Sequence, residues 1–178
     1  LKHDGQACGL PRLSSSVNFR NHTMKKILFP FYILSAGGLI LSAFVHLTSL
    51  LGFNLFGDIA WSLHAGIFVV WFPAVIVSMF TVGKGVMNKP MKDMMGFNPQ
   101  NSPFFAGCPK WMVNLTNGLF IYGIINFIIF IMHQTSGGGS GGNSPQVFRG
   151  FSGHWMIFYS AAMSIFYSAI YKPAEKGM

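Results

Sequence analysis

Charged residues are scarce in this sequence, and acidic residues are the scarcest. Only 9% of the 178 residues are charged, with four Asp and Glu against twelve Lys and Arg. After residue 23 the acids are Asp58, Asp93 and Glu175, and all three lie outside the long apolar runs. Paired carboxylates for catalysis are therefore not indicated. Because 51% of the residues are hydrophobic, the chain has too little polar surface for a soluble domain of this size, and we predict a membrane protein.

Cysteine is also rare. Cys8 and Cys108 are far apart and no CxxC motif is present, so neither a disulfide framework nor a zinc knuckle is indicated, and we expect two unpaired thiols. The net charge of +8 is carried mainly beside and between the apolar runs, where membrane topology explains it. Nucleic acid is therefore not an expected partner.

Four apolar runs are each long enough to cross a bilayer, which takes about 20 residues in a helix. Small and polar residues recur at steps of three and four within them, as at Ser35, Gly38, Ser42 and His46. Such faces are typical of closely packed membrane helices. The predicted fold is an all-α bundle of four transmembrane helices, running up-down-up-down. The predicted spans are about 27–51, 60–82, 111–132 and 153–171.

The segments outside these runs are polar. Residues 1–23 show no periodicity, and Met24 with Lys25 and Lys26 looks like a bacterial start, so 1–23 is interpreted as a disordered tail or a translated upstream segment. Leu1 and Met24 both stay open as the true start. Residues 24–178 are interpreted as the membrane domain, with a long loop at 83–110 and a Gly/Ser-rich linker before the last span.

The basic residues predict an orientation. The lysines near residue 25, in the long loop and after the last span fall on one side of a four-span arrangement, and Arg149 falls on the other. The positive-inside rule then places both termini and the long loop in the cytoplasm, N-in and C-in. With the bacterial type of start at Met24, the expected location is a bacterial inner membrane.

Each span carries one histidine toward its outer end: His46, His64, His133 and His154. In one hypothesis these imidazoles converge in the bundle and bind haem b or a transition metal, with Arg149 pairing with haem propionates, as in an electron-transfer protein. In the other, the rings make ordinary polar contacts between helices or at the membrane interface.

Sequence motifs do not decide between these hypotheses, since CxxCH, HExxH and a two-haem histidine pair on one helix are all missing from the sequence. Enzymatic activity is not indicated, because Ser160, Ser164 and Ser168 are better explained as a packing face than as nucleophiles. The sequence predicts a non-catalytic membrane component or accessory subunit, whose partners are the lipid bilayer and other membrane subunits. A b-type haem or metal-binding electron-transfer protein is the alternative.

The region from Met24 to Tyr171 contains the stretches CPKWM and RGFSGHWMIFYSAA. By these two stretches and its overall pattern, this region resembles a group of small bacterial inner-membrane proteins of unassigned function. The resemblance implies a four-span protein and brings with it no activity, cofactor or catalytic residue.

Overall fold

The computed structural model describes residues 14–86, 103–135, 142 and 144–171, and this part of the chain is helical without any strand. Two short 3-10 turns, Gly57–Ala60 and Pro103–Phe105, lie in the connections. The all-α four-helix prediction is confirmed. The helices are α1 (Ser14–Leu50), α2 (Trp61–Val86), α3 (Lys110–Thr135) and α4 (Pro145–Tyr171).

Two helices begin earlier than the predicted spans. Ser144 starts α4: its backbone oxygen accepts from the Val147 N–H at 3.1 Å, and its hydroxyl lies 3.4 Å from the same nitrogen. Pro145 then occupies the first helical position, where its fixed φ suits a helix. The RGFS lead is therefore helical. Likewise α1 begins at Ser14, within the segment interpreted as a tail, and neither Gly nor Pro lies between Ser14 and Pro30 to interrupt the helix.

Several sequence predictions fall outside the described residues. These are the rest of the 1–23 segment, most of the 83–110 loop, most of the Gly/Ser-rich linker and the residues after Tyr171.

Helix α4 is the central element of the bundle, and it packs against each of the other three helices. From Gly150 to Ile170 every residue of α4 is buried or half-buried. Contacts along α1 and α3 meet α4 in reverse order, whereas those along α2 meet it in the same order, so neighbouring helices in the chain are antiparallel. The pairs are Phe31–Phe166 and His46–Ser152 for α1, Trp61–Phe148 and Trp71–Phe158 for α2, and Thr116–Ser164 and Asn126–Gly150 for α3.

The outer helices carry the apolar surface. Three segments are long and apolar enough to cross a membrane, namely Met24–Leu50, Gly57–Phe80 and Lys110–Thr135. Large apolar side chains on these helices, such as Ile40, Phe72 and Phe80, are more than half exposed. Such an apolar surface is stable in contact with lipid chains, whereas its exposure to water is unfavourable. The described residues therefore have the character of a membrane protein.

Helix α4 is not among those three segments. Its inward positions hold Ser152, Ser160, Ser164 and Ser168, all of them buried, which lowers the hydropathy of the run. The predicted span 153–171 is thus a helix enclosed by the other three, and its crossing of a membrane stays a prediction.

Glycines allow two of the helices to approach α4 closely. A Cβ on Gly38 of α1 would run into the ring of Tyr159, and a Cβ on Gly153 of α4 would lie 2.6 Å from the Asn126 amide nitrogen of α3. Small residues at such crossings are typical of membrane bundles. They bring the polar side chains of neighbouring helices within hydrogen-bonding distance.

Candidate functional site

His46 joins three helices. The imidazole is 4% exposed, and it places Nδ1 at 2.9 Å from the Ser152 hydroxyl of α4 and Nε2 at 2.5 Å from the Tyr122 hydroxyl of α3. The Tyr122 ring also meets the imidazole edge-on, with centroids 5.4 Å apart. The small-residue face predicted on α1 therefore does bring His46 into the bundle.

The direction of these hydrogen bonds follows from Ser152. Its hydroxyl donates to the backbone oxygen of Phe148 at 2.5 Å, one turn earlier in α4. A hydroxyl has one proton to give, so the oxygen accepts from His46 Nδ1–H, and Nε2 then accepts from the Tyr122 hydroxyl. We assign the imidazole proton to Nδ1 from this network. The chain of donors runs from Tyr122 through His46 and Ser152 to Phe148.

This assignment bears on the haem hypothesis. Both ring nitrogens of His46 have a hydrogen-bond partner, so binding a metal through either one requires breaking a bond to Ser152 or Tyr122. A ligating imidazole normally keeps one nitrogen for the metal and gives the other to a protein acceptor. In this arrangement His46 is a hydrogen-bonded connection between helices.

His64 has a different partner on α4. The indole N–H of Trp155 donates to its Nδ1 across 3.0 Å. Because indole can only donate, the neutral imidazole carries its proton on Nε2. The rings of Trp61, Phe68 and Phe151 pack around it with centroids about 6 Å away. His46 and His64 thus bond to separate residues of α4 and not to each other.

The remaining two histidines face other surroundings. His154 packs against Phe158 at 4.7 Å and Phe127 at 5.7 Å between centroids, whereas His133 is exposed at the end of α3. Successive residues of a helix are rotated by about 100°, so position 154 of α4 points about 160° away from position 152 and about 100° away from position 155. Within the residues that the structure describes, His, Cys, Asp and Glu form no group of three or more that could hold a metal ion.

A second polar cluster lies at the opposite end of the bundle. The Thr116 and Ser164 hydroxyls are 2.9 Å apart, Ser168 donates to the backbone oxygen of Ala106 at 2.6 Å, and the Cys108 thiol donates to the backbone oxygen of Ser164 at 3.2 Å. Burial raises the pKa of the Cys108 thiol to about 11. At neutral pH the thiol is therefore almost entirely protonated, which lowers its reactivity. Ser164 therefore links α4 to α3, and Ser168 links α4 to the connection that precedes α3.

A cavity of about 440 Å³ opens between the end of α3 and the start of α4. It brings together two of the residues that the sequence had singled out, His133 and Arg149. The sequence did not point to Gln134 or Gln146, which also line it, because they lie in or beside a Gly/Ser-rich stretch that predicts a linker. The residues are Asn126, Ile129, Phe130, His133, Gln134, Gln146, Arg149 and Gly150.

Asn126 fixes the backbone at this cavity. Its amide nitrogen donates to the backbone oxygen of Arg149 at 2.8 Å and to that of Gly150 at 3.3 Å. The Asn126 side chain is itself buried between α3 and α4. The bond therefore ties the first turns of α4 to the middle of α3.

No protein-family model, curated protein or solved structure matches this chain. Its activity must therefore be inferred from the geometry of the described residues.

Proposed function

We propose that the chain is a small integral membrane protein of the bacterial inner membrane that acts as a non-catalytic component, in the manner of an accessory subunit. An apolar core and the hydrogen bonds of buried polar side chains hold its four helices together, and its interactions with other molecules take place on the outer surface and at the helix ends. The proposed orientation is N-in and C-in, which the placement of lysines supports.

The hydrogen-bonded chain through His46 is the observation that carries this proposal. The buried His46 uses both ring nitrogens to join α1, α3 and α4. Ser152, the hydroxyl beside it, has its proton committed to a backbone oxygen and is fully buried. A serine nucleophile needs its proton shared with a base and its oxygen accessible to a substrate, and neither condition holds here.

Fractionation and reporter fusions test the proposal. An integral protein stays in the membrane pellet after carbonate extraction at high pH, and fusions after Tyr171 and within the 136–143 connection report the side on which each lies. We expect the first reporter to be cytoplasmic and the second to be external. Release by carbonate, or reporters on the same side, would contradict the four-span arrangement.

Co-purification tests the accessory role. Mild detergent extraction followed by size-exclusion chromatography should recover the chain in a complex larger than the monomer in its micelle. Variants on the exposed faces of α1–α3 should release it without unfolding it. A chain that elutes alone from native membranes, at native abundance, would count against a subunit role.

A further inference from the structure

The cavity between α3 and α4 is lined by both polar and apolar residues. Arg149, His133, Gln134 and Gln146 provide a guanidinium, an imidazole and two carboxamides, and Ile129 and Phe130 provide the apolar part. The described lining residues include no acid. Arg149 therefore sets the sign of the field in the cavity and favours an anion.

Helix dipoles do not change that sign. The cavity lies beside the C-terminal end of α3, which is partially negative, and the N-terminal end of α4, which is partially positive. The two ends oppose each other, so the guanidinium dominates. Its planar fork of N–H donors matches the oxygens of a phosphate. Because Asn126 holds the Arg149 backbone oxygen at 2.8 Å, the base of this side chain has a fixed position.

An apolar track leads away from the cavity. Ile129 lines the cavity, and Ile125 and Ile121 lie one and two turns further along the same face of α3. Each of the three is about half exposed. At 1.5 Å per residue the track is about 12 Å long. A free phosphate would gain nothing from this surface, whereas an acyl chain would bury apolar area against it.

We propose that this cavity binds the headgroup phosphate of an anionic phospholipid through Arg149, with an acyl chain along Ile129, Ile125 and Ile121. The inference rests on the proposed insertion of the bundle in a bilayer. It adds a specific lipid site to that proposal, at the end of the bundle where the positive-inside rule puts the outer leaflet.

Native mass spectrometry of the detergent-purified full chain tests the site. Phosphatidylglycerol and phosphatidylcholine with the same acyl chains are titrated separately. The expected result is at least tenfold tighter binding of phosphatidylglycerol, with the preference lost in Arg149→Gln and largely kept in Arg149→Lys. Lys110→Gln is the matched control, since it removes a positive charge from the far end of α3 and should leave the preference unchanged.

A second pair of variants tests the apolar track on α3. Ile125→Ser should weaken phosphatidylglycerol binding several-fold, and Ile33→Ser, an equally exposed change on α1, should not. Glycerol phosphate, which is the headgroup without chains, separates a lipid site from a free-anion site. If it binds as tightly as the full lipid, the lipid proposal is overturned.

Equal affinity of the native chain for the two lipids, or an unchanged preference in Arg149→Gln, would also overturn it. Carbonate extraction distinguishes failure of the lipid-site proposal from failure of the proposed function, because it tests membrane insertion alone. A chain that stays in the membrane but does not discriminate between the lipids contradicts only the lipid site.

Discussion

The hydroxyl of Tyr159 donates a hydrogen bond to the backbone oxygen of Leu63 across 2.7 Å, so that the central helix is tied to α2. The same ring covers Gly38 of α1 and leaves no room for a Cβ there. The Tyr159 side chain thus contacts both α1 and α2, and this packing can be tested by adding a methyl group at Gly38.

Gly38→Ala should destabilise the bundle by about 1–3 kcal/mol, the usual cost of overpacking a filled interior. Gly37→Ala is the matched control, because its Cβ would have nothing within 4 Å. We expect that control to be neutral, or more stable by up to about 1 kcal/mol from helix propensity. Unfolding in mixed micelles with increasing SDS, followed by circular dichroism, measures both. Equal effects of the two changes would show that Tyr159 does not pack on Gly38 in the folded protein.

The crossing of α3 and α4 gives a second matched pair. Gly153→Ala places a Cβ 2.6 Å from the Asn126 amide nitrogen, and Asn126 must then move away from the Arg149 and Gly150 oxygens. The expected loss is about 1–3 kcal/mol for overpacking, to which the strained hydrogen bonds add. Gly118→Ala on α3 meets nothing within 4 Å and should cost nothing in the same SDS titration. If Gly118→Ala lowered the stability and Gly153→Ala did not, the close contact between Gly153 and Asn126 would be contradicted.

The hydrogen-bonded chain through His46 predicts coupling between residues. Removal of one partner by Tyr122→Phe should cost about 0.5–2 kcal/mol, in the range of hydrogen bonds between membrane helices. His46→Ala should cost more, because it also leaves Ser152 and a cavity behind. In His46→Ala the further change Tyr122→Phe should then be nearly silent. Fully additive losses in this double-mutant cycle would mean that the two side chains do not interact.

Cys108 predicts a pH dependence of thiol reactivity. With its pKa raised to about 11 by burial, the thiolate is scarce at neutral and mildly alkaline pH. In a Cys8→Ser background, alkylation by iodoacetamide at pH 8 should be about 100-fold slower in the folded protein than in SDS, since two pKa units separate Cys108 from an ordinary thiol.

The direction in which pH changes the stability follows from the same shift in the Cys108 pKa. The folded state favours the protonated thiol, so this contribution to stability is complete below about pH 9 and is lost as the pH rises toward 11. Rapid alkylation at pH 8 under native conditions, at the rate seen in SDS, would contradict the buried thiol.

The sequence predicted the architecture because helix spacing and hydropathy are local properties. Runs such as 27–51 and 111–132 are long and apolar, and the small residues Gly38 and Ser42 mark an inward face by their spacing alone. Helix α4 extends beyond the predicted span 153–171 at its start, because hydropathy marks apolar residues, whereas Ser144 and Pro145 begin the helix through capping and a fixed φ. The helix therefore includes polar residues that no apolar pattern reveals.

The contacts of the histidines could not be predicted in the same way. Spacing places His46 and His64 at similar depths on neighbouring helices, which invites a direct contact between them. Their partners, Ser152 and Trp155, are 106 and 91 residues away in sequence, and the rotation of α4 selects them. The rotation of a helix about its axis depends on packing along its whole length. The spacing of residues within one helix therefore does not reveal which residues of another helix they will meet. The cavity at Arg149 is a result of the same packing.

The absorption spectrum of the protein, purified in mild detergent from cells supplied with iron and haem precursors, tests the central claim most directly. That claim is that His46 and His64 are hydrogen-bonded connections between helices. The account predicts oxidised and dithionite-reduced spectra without a Soret band, metal analysis without a stoichiometric transition metal, and a His46→Ala variant that differs only in stability. A Soret band with a sharp reduced α-band, lost in His46→Ala or His154→Ala, would contradict it and identify the chain as a b-type electron carrier.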